Sequence, residues 1–225
     1  AAAAVDINRD GWQDLLVATE WGSIKLFQND QGQLVDISKQ SGLSNLLGWW
    51  TSVVPCDVNA DGAMDLAVGN FGWNTKYHAS QQKPTLLYYG DFENSGRMRL
   101  VEAEYEDETL FPVRGKSCST NAMPFLGNKF GTFHEFAVAS LEDIYTPQRL
   151  ETSYRFAANT LASGVFLNQA NKTDQSTKPE FEFIPFPMLA QASPIREIAT
   201  GDFNGDGHLD LIAAQNFYGP QPETG

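Results

Sequence analysis

Three stretches of this chain carry one pattern, D-x-N-x-D-G-x-x-D leading into an apolar run, and they align without a gap. They are VDINRDGWQDLLVA at 5–18, CDVNADGAMDLAVG at 56–69 and GDFNGDGHLDLIAA at 201–214. A pattern kept three times in 225 residues marks a repeated structural unit rather than an isolated turn. The shared glycine permits a positive φ and so a sharp bend after the third polar position. A fourth, weakened copy stands at 91–100 (DFENSGRMRL), with Asp91, Glu93, Ser95 and Gly96 in step. Arg99 replaces its final aspartate.

The residues around the loops repeat as well. The segment 23–29 (SIKLFQN) reads as a strand entering the turn Asn29-Asp30-Gln31-Gly32 and returning at 33–37 (QLVDI). A second strand, 164–168 (GVFLN), returns at 180–184 (EFEFI) after a long polar turn. Asp6 and Asp57 are 51 positions apart, close to the length of a four-stranded propeller blade. The expected fold is therefore all-β: a partial β-propeller of three to four blades, one domain over 1–225. The chain lacks an initiator Met, shows no signal peptide, and reads as an internal piece of a longer protein.

The 145-position gap from Asp57 to Asp202 must hold the weakened copy and an insertion, expected at 102–163. Leu126, Phe130, Phe133, Ala137, Leu141 and Ile144 recur at helical spacing. Thr146-Pro147 looks like an N-cap and first helical residue, with Leu150, Tyr154, Ala157 and Leu161 continuing the period. The spacing predicts a helical hairpin around 121–162, with its aromatic stripe in the core.

The loops have the composition of a calcium site. Calcium takes six to eight oxygen ligands, and alternate positions of a tight turn can present them on one side. The expected ligands in the first loop are Asp6, Asn8, Asp10, the Trp12 carbonyl and Asp14. In the second they are Asp57, Asn59, Asp61, the Ala63 carbonyl and Asp65. In the third they are Asp202, Asn204, Asp206, the His208 carbonyl and Asp210. Two carboxylates about 5 Å apart repel by roughly 3 kcal/mol at an effective dielectric near 20, and a divalent ion reverses that sign. About three calcium ions are expected. Magnesium suits the loops less, because it demands near-ideal octahedral geometry and keeps its waters. An EF-hand would need Glu at position 12, where this chain has Val17, Val68 and Ala213. In the fourth copy Arg99 is expected to pair with Asp91 or Glu93 and take over the charge role of a metal.

The formal net charge of -13 argues against nucleic-acid binding and against docking on anionic lipid. No apolar run approaches the roughly 20 residues of a membrane-spanning helix. Cys56 and Cys118 leave one disulfide open, although Cys56 ends an apolar strand and suits a buried free thiol equally well.

These residues resemble the FG-GAP/VCBS repeats of integrin-α-like β-propellers. The runs GWWTSVVPCDVNADGAMDLAVGNFG and FQNDQGQLVDISKQSGL are similar to bacterial secreted VCBS-repeat proteins, many of which also carry an ASPIC/UnbV-type domain. The resemblance implies loops that hold structural calcium, and a propeller of about seven blades completed by further sequence or another chain. It favours a non-catalytic binding or scaffold module that is extracellular, periplasmic or on the cell surface. Its partner would be a protein or a saccharide, with Trp73, Tyr77, His78 and the 168–180 loop as candidate contacts. Two alternatives stay open: a carbohydrate-active lyase or hydrolase, and a subunit of a larger surface assembly. The enzyme reading has thin support. The only histidines are His78, His134 and His208, neither G-x-S-x-G nor H-E-x-x-H occurs, and Gly115-Lys116-Ser117 lacks the upstream P-loop glycine. The acidic run Glu102, Glu104, Glu106, Asp107, Glu108 reads as a solvated strand edge rather than paired catalytic carboxylates.

Overall fold

A computed structural model describes residues 1–169 and 179–216. The strands in chain order begin with β1 Ala2–Val5, β2 Asp14–Val17, β3 Glu20–Gly22, β4 Lys25–Asp30, β5 Gln33–Asp36 and β6 Gly48–Trp49. They continue with β7 Ser52–Cys56, β8 Asp65–Gly69, β9 Thr85–Gly90, β10 Arg99–Glu106 and β11 Thr109–Pro112. The last are β12 Tyr154–Ala158, β13 Gly164–Asn168, β14 Phe181–Pro185, β15 Ile195–Gly201 and β16 Asp210–Gln215. Five short helices follow β11: α1 Lys116–Ala122, α2 Phe125–Lys129, α3 Phe133–Ala137, α4 Leu141–Tyr145 and α5 Pro147–Glu151. The chain divides into two compact units, one of Ala1–Lys76 with Thr160–Gly225 and one of Tyr77–Asn159.

The first unit is built from the repeat. One sheet has the order β1-β2-β4-β5 and another β7-β8-β13-β14, with antiparallel pairing throughout. In both, the aspartate loop joins the first two strands. The hairpin β15–β16 repeats that beginning around the third loop. This is an all-β fold of several antiparallel sheets with few helices and, among the described residues, no closed barrel. It matches a partial propeller.

Side-chain alternation explains the stacking. On β8, Leu66 and Val68 enter a core with Leu16, Leu26, Ile24, Trp50 and Phe166, while Ala67 faces Cys56, Ile195 and Ile198. The second sheet is thus covered on both faces, and every residue of β8 is buried. Pro55 is tolerated in β7 because that strand pairs within its sheet only with β8. At Gly69 a Cβ would come within 2.5 Å of the Ile195 carbonyl oxygen, so close strand approach requires glycine there.

The second unit lies in sequence between β8 and β13, the second and third strands of one sheet. Within the first unit, the two segments that flank it in sequence are joined by three buried polar residues. The Asn70 amide donates to the carbonyls of Thr160 and Ala162 and accepts from the Trp49 N–H; its own N–H donates to Ser163. Gln191 accepts from the Ser163 N–H and donates to the Ser163 carbonyl. The compact unit runs 77–159, where the sequence reading set the insertion at 102–163.

That unit is a four-stranded sheet, β11-β10-β9-β12, with helices on one face. Leu86, Tyr88, Val101 and Ala103 from the sheet pack with Leu126, Phe136, Leu141, Ile144 and Tyr145. The expected helical hairpin is corrected to five short helices and a strand. Thr132 with Glu135, and Ser140 with Asp143, form complete capping boxes that restart the helix twice. Each restart changes the buried face, so Phe133 is 67% exposed and Phe136 is buried instead. Residues 154–158 do not continue a helix; they pair antiparallel with β9. Both cysteines are free, Cys56 buried and Cys118 exposed.

Candidate metal centre

The three intact loops share a common set of hydrogen bonds, to which the third adds a bond from the Gly205 N–H to Asp202. In the first, Asp6 accepts the N–H of Asp10 at 3.0 Å and of Gly11 at 2.9 Å. Asn8 accepts the Asp10 N–H, and Asp10 accepts the Trp12 N–H. In the second, Asp57 accepts from Asp61 and Gly62, Asn59 from Asp61, and Asp61 from Ala63. In the third, Asp202 accepts from Asp206 and Gly207, Asn204 from Asp206, and Asp206 from His208. The Asn side chain also donates to the next Asp in all three, at 2.8 to 3.0 Å. The backbone repeats too. The motif glycines Gly11, Gly62 and Gly207 have φ of 90°, 88° and 83°. Two positions earlier Arg9, Ala60 and Gly205 are also left-handed, at 60°, 55° and 78°.

The ninth-position aspartate acts differently from the others. Asp14 accepts the Ile7 N–H at 2.9 Å and the Asn29 N–H at 2.8 Å. Asp65 accepts the Val58 N–H at 3.0 Å and the Asn168 N–H at 2.8 Å. Each ties the start of its loop to the end of the third strand of its sheet. The two asparagines complete the strut with their side chains, which donate to the Gln13 and Met64 carbonyls. Asp210 accepts the Phe203 N–H at 3.0 Å. The sequence reading gave Asn29 only a turn role, and gave Asn168 only as the end of a strand. Their signal was present, since each ends a third strand, in KLFQN and GVFLN.

Asp14 and Asp65 are almost wholly buried, and burial pushes both carboxyls above the usual range. Backbone N–H donors oppose the shift, and the neighbouring loop aspartates add to it. Asp202 is exposed and lies below the usual range, chiefly through the Gly207 N–H.

The donor chemistry fits a hard cation. Side-chain oxygen is supplied at four positions of each loop, and a carboxylate oxygen has about two acceptor sites. In the first loop, each oxygen of Asp6 and Asp10 uses one of them. Among the described residues no three acidic, histidine or cysteine side chains stand together as a ready ligand cluster.

The fourth loop keeps the first half of the network. Asp91 accepts from Ser95 at 3.1 Å and Gly96 at 2.6 Å, and Asn94 and Gly96 are left-handed as in the other loops. Its ninth residue, Arg99, places its guanidinium 3.7 Å from Glu93 at position three.

Other sequence candidates have structural partners. The Tyr77 hydroxyl donates to Glu102, and burial pushes its phenol well above the usual value, with Glu102 adding to the shift. The His78 N–H and the Thr85 hydroxyl donate to Glu104. Arg114 pairs with Glu102, and Lys83 with Glu108. Glu102, Glu104 and Glu108 of the acidic run thus each have a neighbouring partner. Trp73 is 49% exposed. Most of the 168–180 loop lies outside the described residues.

Repeated four-stranded sheets, each opened by the same aspartate loop, define a repeat protein of propeller type. An FG-GAP-like repeat profile matches 6–68 and an FG-GAP repeat profile matches 196–225. The chain thus carries FG-GAP repeats in these two stretches, which suggest a module of integrin-like propeller type. No curated protein matches it significantly.

Proposed function

We propose that this chain is a calcium-stabilised binding and scaffold module that works outside the cell, where millimolar calcium would keep even weak loops filled. The observation that supports it most is the recurrence of aspartate or asparagine oxygen at positions 1, 3, 5 and 9 of three loops that share one backbone turn. In each, the ion would be held by the side chains at positions 1, 3, 5 and 9 and the carbonyl at position 7. Those residues are Asp6, Asn8, Asp10, Trp12 and Asp14, and their counterparts in the other two loops. A bound ion supplies positive charge where burial and crowding now raise the Asp14 and Asp65 carboxyls. The role of the ion is structural: it would hold the loop against the Asp14–Asn29 and Asp65–Asn168 struts. A protein or saccharide ligand would then meet loops carried on rigid sheets.

The capping boxes and engaged carboxylates of the second unit give no specific support to a hydrolase or lyase reading. Among the described residues no helix is long and apolar enough to cross a membrane. Equilibrium dialysis against calcium tests the proposal. It predicts three ions per chain, all removed by chelator; a stoichiometry of zero would sink it.

A further inference from the structure

A cavity of about 280 Å³ in the second unit gathers groups that packing alone does not require. Ile144, Tyr145 and Phe125 form its apolar wall, Lys129 and Arg149 supply positive charge, and Glu93 of the weakened loop lies at its side. Cations are scarce in this chain, 15 against 28 acidic residues, so two on one small cavity is a local reversal of sign.

The charges are held in place. The Lys129 ammonium donates to the carbonyls of Asp143 and Ile144 at the end of α4. Glu93 is engaged by Arg99. The Arg149 guanidinium stands 6.0 Å over the Phe125 ring and, among the described residues, has no carboxylate within ion-pair distance. A cation–π contact at this distance draws the guanidinium toward the ring and leaves its fork of N–H donors for an acceptor.

The wall between these groups is strained. Thr146 has φ 64° and ψ 143°, far from the region open to a β-branched residue, and Pro147 restricts it further. Such a conformation costs on the order of 1–3 kcal/mol and tends to occur where a site needs it.

We propose that this cavity binds a small organic carboxylate of single-ring size, with its carboxylate on the Arg149 fork and its apolar body against the partly exposed Phe125 ring. A volume near 280 Å³ equals about nine waters at roughly 30 Å³ each, which suits one ring. Two parallel N–H···O bonds from arginine match a carboxylate better than a single point charge would. The site lies wholly within the second unit and does not depend on calcium in the loops.

Benzoate, methyl benzoate and inorganic phosphate are the probes, titrated into the whole chain and followed by ligand-observed NMR. Benzoate is expected to bind saturably, and its neutral ester not to bind. R149Q should weaken benzoate by about tenfold or more, as expected for loss of a charge-assisted pair. R149K keeps the charge and loses the fork; it should weaken binding too, and it serves if R149Q fails to fold. No saturation by about ten millimolar benzoate would overturn the proposal, since even a millimolar Kd would show there. Undiminished binding in both variants would also overturn it, as would ester binding as tight as the acid. Phosphate binding as tightly as benzoate would remove the ring from the account and overturn it in that form.

Discussion

The intact loops and the weakened loop share one backbone and differ in how they close. All four put a left-handed residue at position 4 and a left-handed glycine at position 6, and in all four the first aspartate accepts the N–H groups of positions 5 and 6. The turn is therefore a property of Asp-x-x-x-x-Gly and needs no metal to explain it. The ninth residue separates them. Asp14 and Asp65 reach into the protein and bind two strand N–H groups each, whereas Arg99 turns back to the carboxylate of its own loop at Glu93. The first arrangement leaves Asp14 and Asp65 without a basic partner among the described residues. In the second, a guanidinium already supplies the positive charge.

The largest expected effect comes from breaking the strut. Asp65→Ala would leave the Val58 and Asn168 N–H groups without their acceptor at a fully buried carboxylate. At about 1–3 kcal/mol for each of the two orphaned donors, a loss of roughly 2–6 kcal/mol should appear as a lower urea midpoint. Arg99→Ala should cost no more than about 1 kcal/mol, because its ion pair is long and Arg99 is partly exposed. Equal losses in the two variants would erase the distinction drawn here.

A gain-of-function variant sharpens the comparison next. Ser95→Asp with Arg99→Asp puts aspartate at positions 1, 5 and 9 of the fourth loop and leaves Glu93 at position 3. Calcium stoichiometry by equilibrium dialysis should rise from three to four. An unchanged value would show that closing the shell needs more than these side chains.

Titration gives the smallest effect and the clearest sign. Burial raises the folded-state Asp14 carboxyl, so its contribution to stability is fully present below the unfolded value of 3.8 and is lost as pH rises through the raised value. In chelator, the wild type should gain stability relative to Asp14→Asn as pH falls from neutrality toward 4. Asp91 lies below its ordinary value, chiefly through the Ser95 N–H, so its contribution is present above 3.8 and is lost on further acidification. The wild type should therefore lose stability relative to Asp91→Asn below pH 4. Urea midpoints across this range, with both pairs of proteins, check the two opposite slopes.

Much of this architecture could be read from local pattern. The strand 164–168 is found where GVFLN predicts it, and the returning strand Phe181–Pro185 is one residue later than expected. The loops were legible because their geometry is set by residues within nine positions of each other. The strut was not, since Asp65 and Asn168 are 103 residues apart with a whole unit between them. The helical region misled for a local reason. Apolar spacing continued smoothly through Thr132 and Ser140, while their capping boxes ended one helix and began another. The strand β12 was hidden because Tyr154 and Ala157 also continue a helical period from Leu150 to Leu161. The Asn70, Ser163 and Gln191 clamp consists of buried polar residues from three distant segments, a kind of contact that no periodicity announces.

The most direct test of the central claim is native-state hydrogen exchange in millimolar calcium and in chelator, read at matched amides of the intact and weakened loops. The account predicts that calcium slows exchange at Asp10, Asp61, Asn29 and Asn168 by about tenfold or more and leaves Ser95 and Gly96 unchanged. Identical exchange with and without calcium at the first four amides, or equal slowing at all six, would contradict it.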